Sequence, residues 1–214
     1  EYTYGIEATL PTNVVYPGNT FGGWFDNESL TGTAATKISA TDTGDKTYYA
    51  KWTEDYKKIG FVKVAMAKAS LSLAIAESGN LYAWGTGYLG NGTTTSAVPI
   101  QIKKELKFKE VSTGAYHVLA IDENENLWAW GGNTSGQLGD GTNVAKTNPV
   151  QVKSGTKFKK VATGNEYSIV LDIDGNIWSC GYNIYGVLGN GKTNSNNVLT
   201  KITSGTKFKD ISAG

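Results

Sequence analysis

The run Gly186-Val187-Leu188-Gly189-Asn190-Gly191-Lys192-Thr193 carries the residue types of a phosphate-binding loop at that loop's spacing. In such a loop, backbone N–H groups cradle phosphates at the start of a helix, the lysine reaches them, and the hydroxyl holds magnesium. Gly85-Thr86-Gly87-Tyr88-Leu89-Gly90 has the spacing of a dinucleotide fingerprint, which also requires a following helix within a βαβ unit. Asp172-Ile173-Asp174-Gly175-Asn176 begins like a calcium loop, but the later ligands and the closing glutamate are missing. His117 and Cys180 are the chain's one histidine and one cysteine, too few for a nucleophile paired with a base. Asp122 and Glu123 form a carboxylate pair at a turn, with no sign of a shared cleft.

Each of these stretches is one copy of something that occurs more than once. Leu127-Trp128-Ala129-Trp130-Gly131 leads to Leu138-Gly139-Asp140-Gly141-Thr142. Upstream, Leu81-Tyr82-Ala83-Trp84-Gly85 leads to Leu89-Gly90-Asn91-Gly92-Thr93. Downstream, Ile177-Trp178-Ser179-Cys180-Gly181 leads to Leu188-Gly189-Asn190-Gly191. Phe108, Phe158 and Phe208 stand fifty residues apart, each flanked by lysines. A fixed period of this length marks a repeat architecture. The phosphate-loop pattern is therefore the third Leu-Gly-x-Gly loop, with Thr93 and Thr142 standing where Lys192 does, and no nucleotide is expected there. Asp-Gly in a tight hairpin turn accounts for the calcium-like run. His117 aligns with Leu71 and Tyr167 as a half-buried strand position, and Cys180 aligns with Trp84 and Trp130 as a core residue.

The elements that carry these positions follow in order within each repeat. A first strand such as Phe108-Lys109-Glu110-Val111-Ser112 turns at Gly114 or Gly164, and a second runs from His117 to Ile121 or from Tyr167 to Leu171. A tight turn at Gly79-Asn80, Glu125-Asn126 or Gly175-Asn176 enters the Trp strand. A Gly-rich loop then feeds a last strand such as Pro149-Val150-Gln151-Val152. Four short strands per repeat, with turn signals between them, predict a propeller blade. The lysines around each Phe read as solubilising an exposed strand.

Composition agrees with an all-β reading: Gly is abundant, and aromatic and β-branched residues dominate the apolar set. The net charge of +1 gives no global attraction to nucleic acid or membrane. All 20 basic residues are lysine, so bidentate guanidinium recognition of phosphate or guanine is missing and no nucleic-acid partner is expected. No apolar run reaches membrane-spanning length.

Residues 1–53 lie outside the period. Gly22-Gly23-Trp24-Phe25 reads as a turn into an aromatic strand, Thr47-Tyr48-Tyr49-Ala50-Lys51-Trp52 as a second strand, and Pro17-Gly18-Asn19 as a turn. The order of these segments resembles the Listeria–Bacteroides repeat, the small β-grasp-like module of internalin B-type surface proteins, without the family's first strand. Residues 54–58 (Glu-Asp-Tyr-Lys-Lys) read as a linker. From residue 59 onward, Val111-Ser112-Thr113-Gly114-Ala115-Tyr116-His117 and Leu127-Trp128-Ala129-Trp130-Gly131-Gly132-Asn133-Thr134-Ser135-Gly136-Gln137-Leu138-Gly139 are similar to the repeat of the regulator of chromosome condensation family. That resemblance implies about three blades of a seven-bladed propeller. The first copy is degenerate, and Phe208-Lys209-Asp210-Ile211-Ser212-Ala213-Gly214 opens a fourth. Closed propellers need roughly four to eight blades, so the chain reads as part of a longer protein, cut at both ends.

Positions constant across copies are taken as structural: Gly114, Trp128, Trp130, Gly131, Gly139, Gly164, Trp178, Gly181 and Gly189. Positions that vary at a shared place are free to carry recognition. These are the turn after the first strand (Ala115-Tyr116 against Asn165-Glu166) and the loop after the Trp strand (Thr134-Ser135 against Ile184-Tyr185). Tyr116, Asn165, Glu166 and Tyr185 are the candidate binding residues, tyrosine being a favoured interface anchor. No catalytic residue, metal or cofactor is expected. The expected role is a non-enzymatic binding or adhesion module of a bacterial surface or secreted protein, engaging a protein or a glycan. A secreted enzyme inhibitor and a guanine-nucleotide exchange factor-like regulator are the alternatives.

Overall fold

The computed structural model describes residues 6–14, 16, 19–55, 59–68, 70–202 and 205–214. Pro17 and Gly18 of the expected first turn, and Tyr56, Lys57 and Lys58 of the expected linker, lie outside the described residues. The chain divides into two compact units, residues 1–59 and 60–214. All the named elements are strands, as the composition implies.

In the first unit β1 (Ala8–Thr9) pairs with β3 (Lys37–Ile38), and β2 (Asn19–Phe25) pairs with β4 (Tyr49–Glu54), both antiparallel. Gly22-Gly23 does not turn the chain. It forms a bulge inside β2, between the partners Phe21↔Trp52 and Trp24↔Ala50. Gly23 sits at φ +112°, and a Cβ there would lie 2.6 Å from the Ala34 methyl, so a bulge with glycine is the form that fits. Tyr16, Phe21, Trp24 and Trp52 gather round it, with ring centroids 5.3–5.6 Å apart.

The second unit is three four-stranded antiparallel sheets, each made of consecutive strands. Blade 1 holds β5 (Phe61–Met66), β6 (Leu71–Ala76), β7 (Leu81–Thr86) and β8 (Thr95–Ile102). Blade 2 holds β9 (Phe108–Thr113), β10 (His117–Asp122), β11 (Leu127–Gly131) and β12 (Lys146–Val152). Blade 3 holds β13 (Phe158–Thr163), β14 (Tyr167–Asp172), β15 (Ile177–Gly181) and β16 (Asn196–Lys201). The first strands β5, β9 and β13 adjoin one another in succession, so they line the inner side and the fourth strands lie outermost.

Sheets stacked face to face must bury both faces of their middle strands. In β10, every residue is buried. Val118 and Ala120 join an apolar cluster with Leu71, Leu73, Leu81 and Ile102 of blade 1. Their neighbours Leu119 and Ile121 join a second cluster with Phe158, Val170, Cys180 and Leu199 of blade 3. Alternation along one strand thus glues both neighbours to the middle blade.

Phe61, paired with Ala76 as Phe108 is with Asp122, is an earlier member of the Phe series. It lies 47 rather than 50 residues before Phe108 because the Trp–Gly loop of blade 1 is three residues shorter. Residues 205–214 form no strand, yet they repeat the contacts by which each blade joins the one before. Phe108, Phe158 and Phe208 donate their N–H groups to the carbonyls of Gly79, Glu125 and Gly175. Lys107, Lys157 and Lys207 donate from Nζ to Asn80, Asn126 and Asn176. These three lysines therefore do more than solubilise an exposed strand. Each is a clamp from the start of an inner strand to the tight turn of the preceding blade.

Candidate functional site

In each blade, the loop after the first strand and the loop after the third lie at one end, and the tight turns lie at the other. The long-loop end is built by side chains that recur. Asn133 is fully buried and its Nδ2 donates to the carbonyls of Thr142 (3.0 Å) and Val144 (3.2 Å), while its Oδ1 accepts from Leu138 N–H (2.9 Å). Asn183 does the same for the carbonyls of Lys192 (2.9 Å) and Asn194 (3.1 Å) and for Leu188 N–H (2.9 Å). The phosphate-loop pattern is thus the span that Asn183 ties together, and it runs into strand β16 rather than a helix. In blade 1 Thr86-Gly87 occupies the shorter loop, with Gly87 N–H on the Thr94 carbonyl, and β8 follows.

Gly131 (φ +107°) and Gly181 (φ +105°) start these loops, and a Cβ would meet the carbonyl oxygens of Tyr116 and Glu166 at 2.4 and 2.5 Å. Only glycine fits. Gly114 and Gly164 are needed for a different reason from the expected turn: they have no positive φ. A Cβ on them would strike the His117 ring at 2.3 Å and the Tyr167 ring at 1.9 Å. Trp128 and Trp178 donate from Nε1 to the buried Asp122 and Asp172 carboxylates, both at 2.9 Å. Asn126 and Asn176 fill the other acceptor sites of those carboxylates. Burial pushes both carboxyls up, but these donated hydrogen bonds outweigh it and hold them below the usual range. The calcium-like run is a closed turn whose first carboxylate is already satisfied.

His117 is 1% exposed. Its Nε2 lies 3.0 Å from Ser168 Oγ, whose single proton goes to the Gln137 carbonyl at 2.7 Å. The imidazole is therefore the donor, protonated at Nε2. Nδ1 is left buried without a partner, and burial pulls the pKa down to about 4 against a small opposing pull from the Tyr167 backbone. Cys180 is fully buried, and burial pushes its thiol up to about 12. Neither group is poised for chemistry near neutral pH. Among the described residues no three His, Cys, Asp or Glu side chains gather as a metal site would require.

Of the four candidate binding residues, Asn165, Glu166 and Tyr185 line one concavity with Tyr167, Tyr182 and Val187. Tyr185 is 83% exposed, and its ring stands 6.3 Å edge-on from that of Tyr182. Ser135 Oγ of blade 2 donates to Glu166 Oε2 at 2.7 Å, so the carboxylate is fixed at the blade boundary. Tyr116 lies on the neighbouring blade, 58% exposed, outside that lining. Its loop is joined to the next by Ala115 N–H on the Asn165 carbonyl (3.0 Å). Tyr182 and Val187 escaped the sequence reading, although they too vary at a shared place, standing where blade 2 has Gly132 and Gln137.

The architecture defines a class: β-propeller repeats whose recurrent residues hold a scaffold and whose variable loops cluster at one end. Residues 78–121, 124–171 and 174–214 match the regulator of chromosome condensation (RCC1) repeat, and residues 108–137 and 158–187 match a second model of the same repeat. The chain belongs to the regulator of chromosome condensation repeat family. The first two matched repeats begin at or beside a tight turn and end in the next blade's second strand, so the sequence unit straddles two blades. Residues 1–51 match the Listeria-Bacteroides repeat domain. Human WBSCR16 is similar in structure, with a TM-score of 0.64, 19% identity, and coverage of 92% of this chain and 52% of that one. Prp20p from Saccharomyces cerevisiae, described with its binding to Gsp1p and histones, gives 0.60, 21%, 92% and 50%. Yeast RCC1 (Prp20) in its Kap60-bound structure gives 0.59, 24%, 92% and 48%. The chain spans about half the length of these structures.

Proposed function

We propose that this chain is a non-enzymatic binding module that engages a protein ligand through the long-loop end of its blades, as part of a bacterial surface or secreted protein. The observation that carries the reading is the cleft of Tyr182, Tyr185 and Val187 beside Asn165 and Glu166. Aromatic and apolar side chains stand exposed there on a backbone that Asn183 and Gly181 hold rigid. Exposed tyrosines on preordered loops lose little entropy when they are covered. Protein binding by Prp20p, named with Gsp1p and histones, supports a protein over a glycan as the ligand. The Listeria-Bacteroides repeat in residues 1–51 supports a surface or secreted setting.

The test is a display screen of protein ligands run beside a glycan array, using the whole chain and its Tyr185→Ala and Tyr116→Ala variants. A protein ligand whose affinity falls about tenfold or more in Tyr185→Ala supports the reading. Glycan-only hits, or protein hits indifferent to both substitutions, remove it.

A further inference from the structure

The lysine clamps between successive blades set an amine against a carboxamide, and in two of the three a carboxylate completes the group. Lys157 Nζ lies 3.0 Å from Asn126 Oδ1, and Asn126 Nδ2 donates to Asp122 Oδ2 at 2.9 Å. One blade on, Lys207 Nζ lies 2.6 Å from Asn176 Oδ1, and Asn176 Nδ2 donates to Asp172 Oδ2 at 2.7 Å. The asparagine backbone N–H adds a second bond to each aspartate, at 2.9 and 2.7 Å, and the indole of Trp128 or Trp178 adds a third. The side-chain amide is thereby locked with its oxygen turned to the lysine. Asp172 is 4% and Asn176 8% exposed, so little water competes for that amide.

The first clamp lacks the carboxylate. Lys107 Nζ also donates to Asn80 Oδ1, but Ala76 stands where Asp122 and Asp172 do, opposite the inner-strand Phe. Tyr82, in the place of the two tryptophans, meets Asn80 Nδ2 only at 3.5 Å. In the other two clamps the donated hydrogen bonds keep the aspartate ionised, the form that accepts a proton.

We propose that Lys157–Asn126 and Lys207–Asn176 are sites of amide cross-links that join the start of an inner strand to the tight turn of the preceding blade. The free amine of the lysine attacks the asparagine Cγ, one bond from the oxygen it touches. A C–N bond forms, and charge gathers on Oδ1. Once bonded to Cγ, Nζ sits beside Nδ2, so the carboxylate that holds Nδ2 also reaches the surplus proton on Nζ. The aspartate takes that proton and passes it to Nδ2. The Cγ–Nδ2 bond breaks, ammonia leaves, and the carboxylate is regenerated. One amine and one carboxamide become one secondary amide and one ammonia, with no oxidant or further reactant. Contact in the folded chain removes the entropy cost of meeting, and the placed carboxylate supplies the proton transfer. Each link closes a loop across a separation of 31 residues and keeps neighbouring blades tied when their packing opens.

The test is intact-mass spectrometry of the whole chain, fresh and after prolonged incubation at neutral and mildly alkaline pH. Digestion with a protease that cuts after lysine follows. The expected result is loss of one ammonia per link, missed cleavage at Lys157 and Lys207, and branched peptides that join them to Asn126 and Asn176. Cleavage at Lys107 should be normal. Lys207→Arg, which keeps the charge, should remove the Asn176 link alone. Asp172→Asn, which keeps the shape but cannot take up the proton, should slow that link by about 100-fold or more, with the CD spectrum retained. A chain that keeps its full mass overturns the proposal. Ammonia loss without branched peptides, the mark of a succinimide at Asn91-Gly92 or Asn190-Gly191, overturns it as well. Equal linkage of Lys107 to Asn80 overturns the part assigned to the aspartates.

Discussion

Between blades 1 and 2, Leu71 and Val118 share an apolar cluster, and the Trp130 indole lies over the Leu89-Gly90 loop. Between blades 2 and 3, the places of Leu71, Val118 and Trp130 hold His117, Ser168 and Cys180. The backbone plan is the same, but one junction is dry and aromatic while the other is a polar chain from imidazole to hydroxyl to carbonyl. The volume lost from tryptophan to cysteine is partly recovered by Leu199, which stands where blade 2 has Pro149 and packs on Gly139. A repeat fold thus fixes where blades meet but leaves the chemistry of each meeting to paired residues.

The sharpest way to break that comparison is to empty the equivalent place in both junctions. Trp130→Ala removes a fully buried ring and its bond to the Tyr88 carbonyl, and should cost about 3–5 kcal/mol. Cys180→Ala removes one sulfur from the equivalent place and should cost about 1 kcal/mol. Urea unfolding of the whole chain, followed by far-UV CD, measures both. Equal losses would mean that the two junctions do not differ in how much of their stability this place carries.

The polar junction should also be the one that responds to acid. His117 holds its folded pKa near 4, against about 6.5 in an unfolded chain. Below pH 6.5 the unfolded chain therefore binds a proton that the folded chain refuses. Stability is fully present above that value, falls as pH drops toward 4, and levels off below it. The drop of about 2.5 units corresponds to roughly 3 kcal/mol. Transplanting the dry pair, His117→Leu with Ser168→Val, should remove this slope between pH 6.5 and 4. Loss of stability at lower pH should persist, because Asp122 and Asp172 are stabilising while ionised and lose that contribution as pH falls from the ordinary carboxylate range through their own depressed values. Urea midpoints at a series of pH values decide it. An unchanged slope in the double variant would show that His117 is not its source.

Much of the scaffold was legible in the sequence because its constraints are local and recur. The Trp strands, the tight turns and the Leu-Gly-x-Gly loops follow from period and residue type, and setting the copies side by side disposed of the nucleotide and calcium patterns. Part of what was not legible depended on pairs of residues from different copies. Lys107 and Asn80 sit 27 residues apart, so nothing in either neighbourhood marks the clamp they form. Gly114 looks like a turn glycine until the His117 ring is placed against it. In the candidate cleft, Asn165, Glu166 and Tyr185 were read from variation between copies, but Tyr182 and Val187 were passed over. Gly22-Gly23 misled because a glycine pair in a strand bulge has the same composition as one in a turn.

The tight turns extend the comparison down to a fraction of a kilocalorie. At the place that requires positive φ, blades 1 and 3 have Gly79 (φ +77°) and Gly175 (φ +83°), whereas blade 2 has Glu125 at φ +66°. A non-glycine residue held there stores about 1 kcal/mol of backbone strain. Against that, the Glu125 carboxylate meets Lys109 Nζ at 3.3 Å, but both side chains are more than a third exposed, so the pair returns only about 0.3 kcal/mol. The carbonyl at this position keeps its bond from Phe158 N–H whatever the side chain. Glycine also loses more backbone entropy on folding, which offsets part of the relief. Glu125→Gly should therefore stabilise the chain by about 0.5 kcal/mol, with a gain that shrinks at low salt, where the lost ion pair counts for more. A destabilisation in urea, at any ionic strength, would show that the Lys109–Glu125 contact, rather than backbone strain, governs the middle turn.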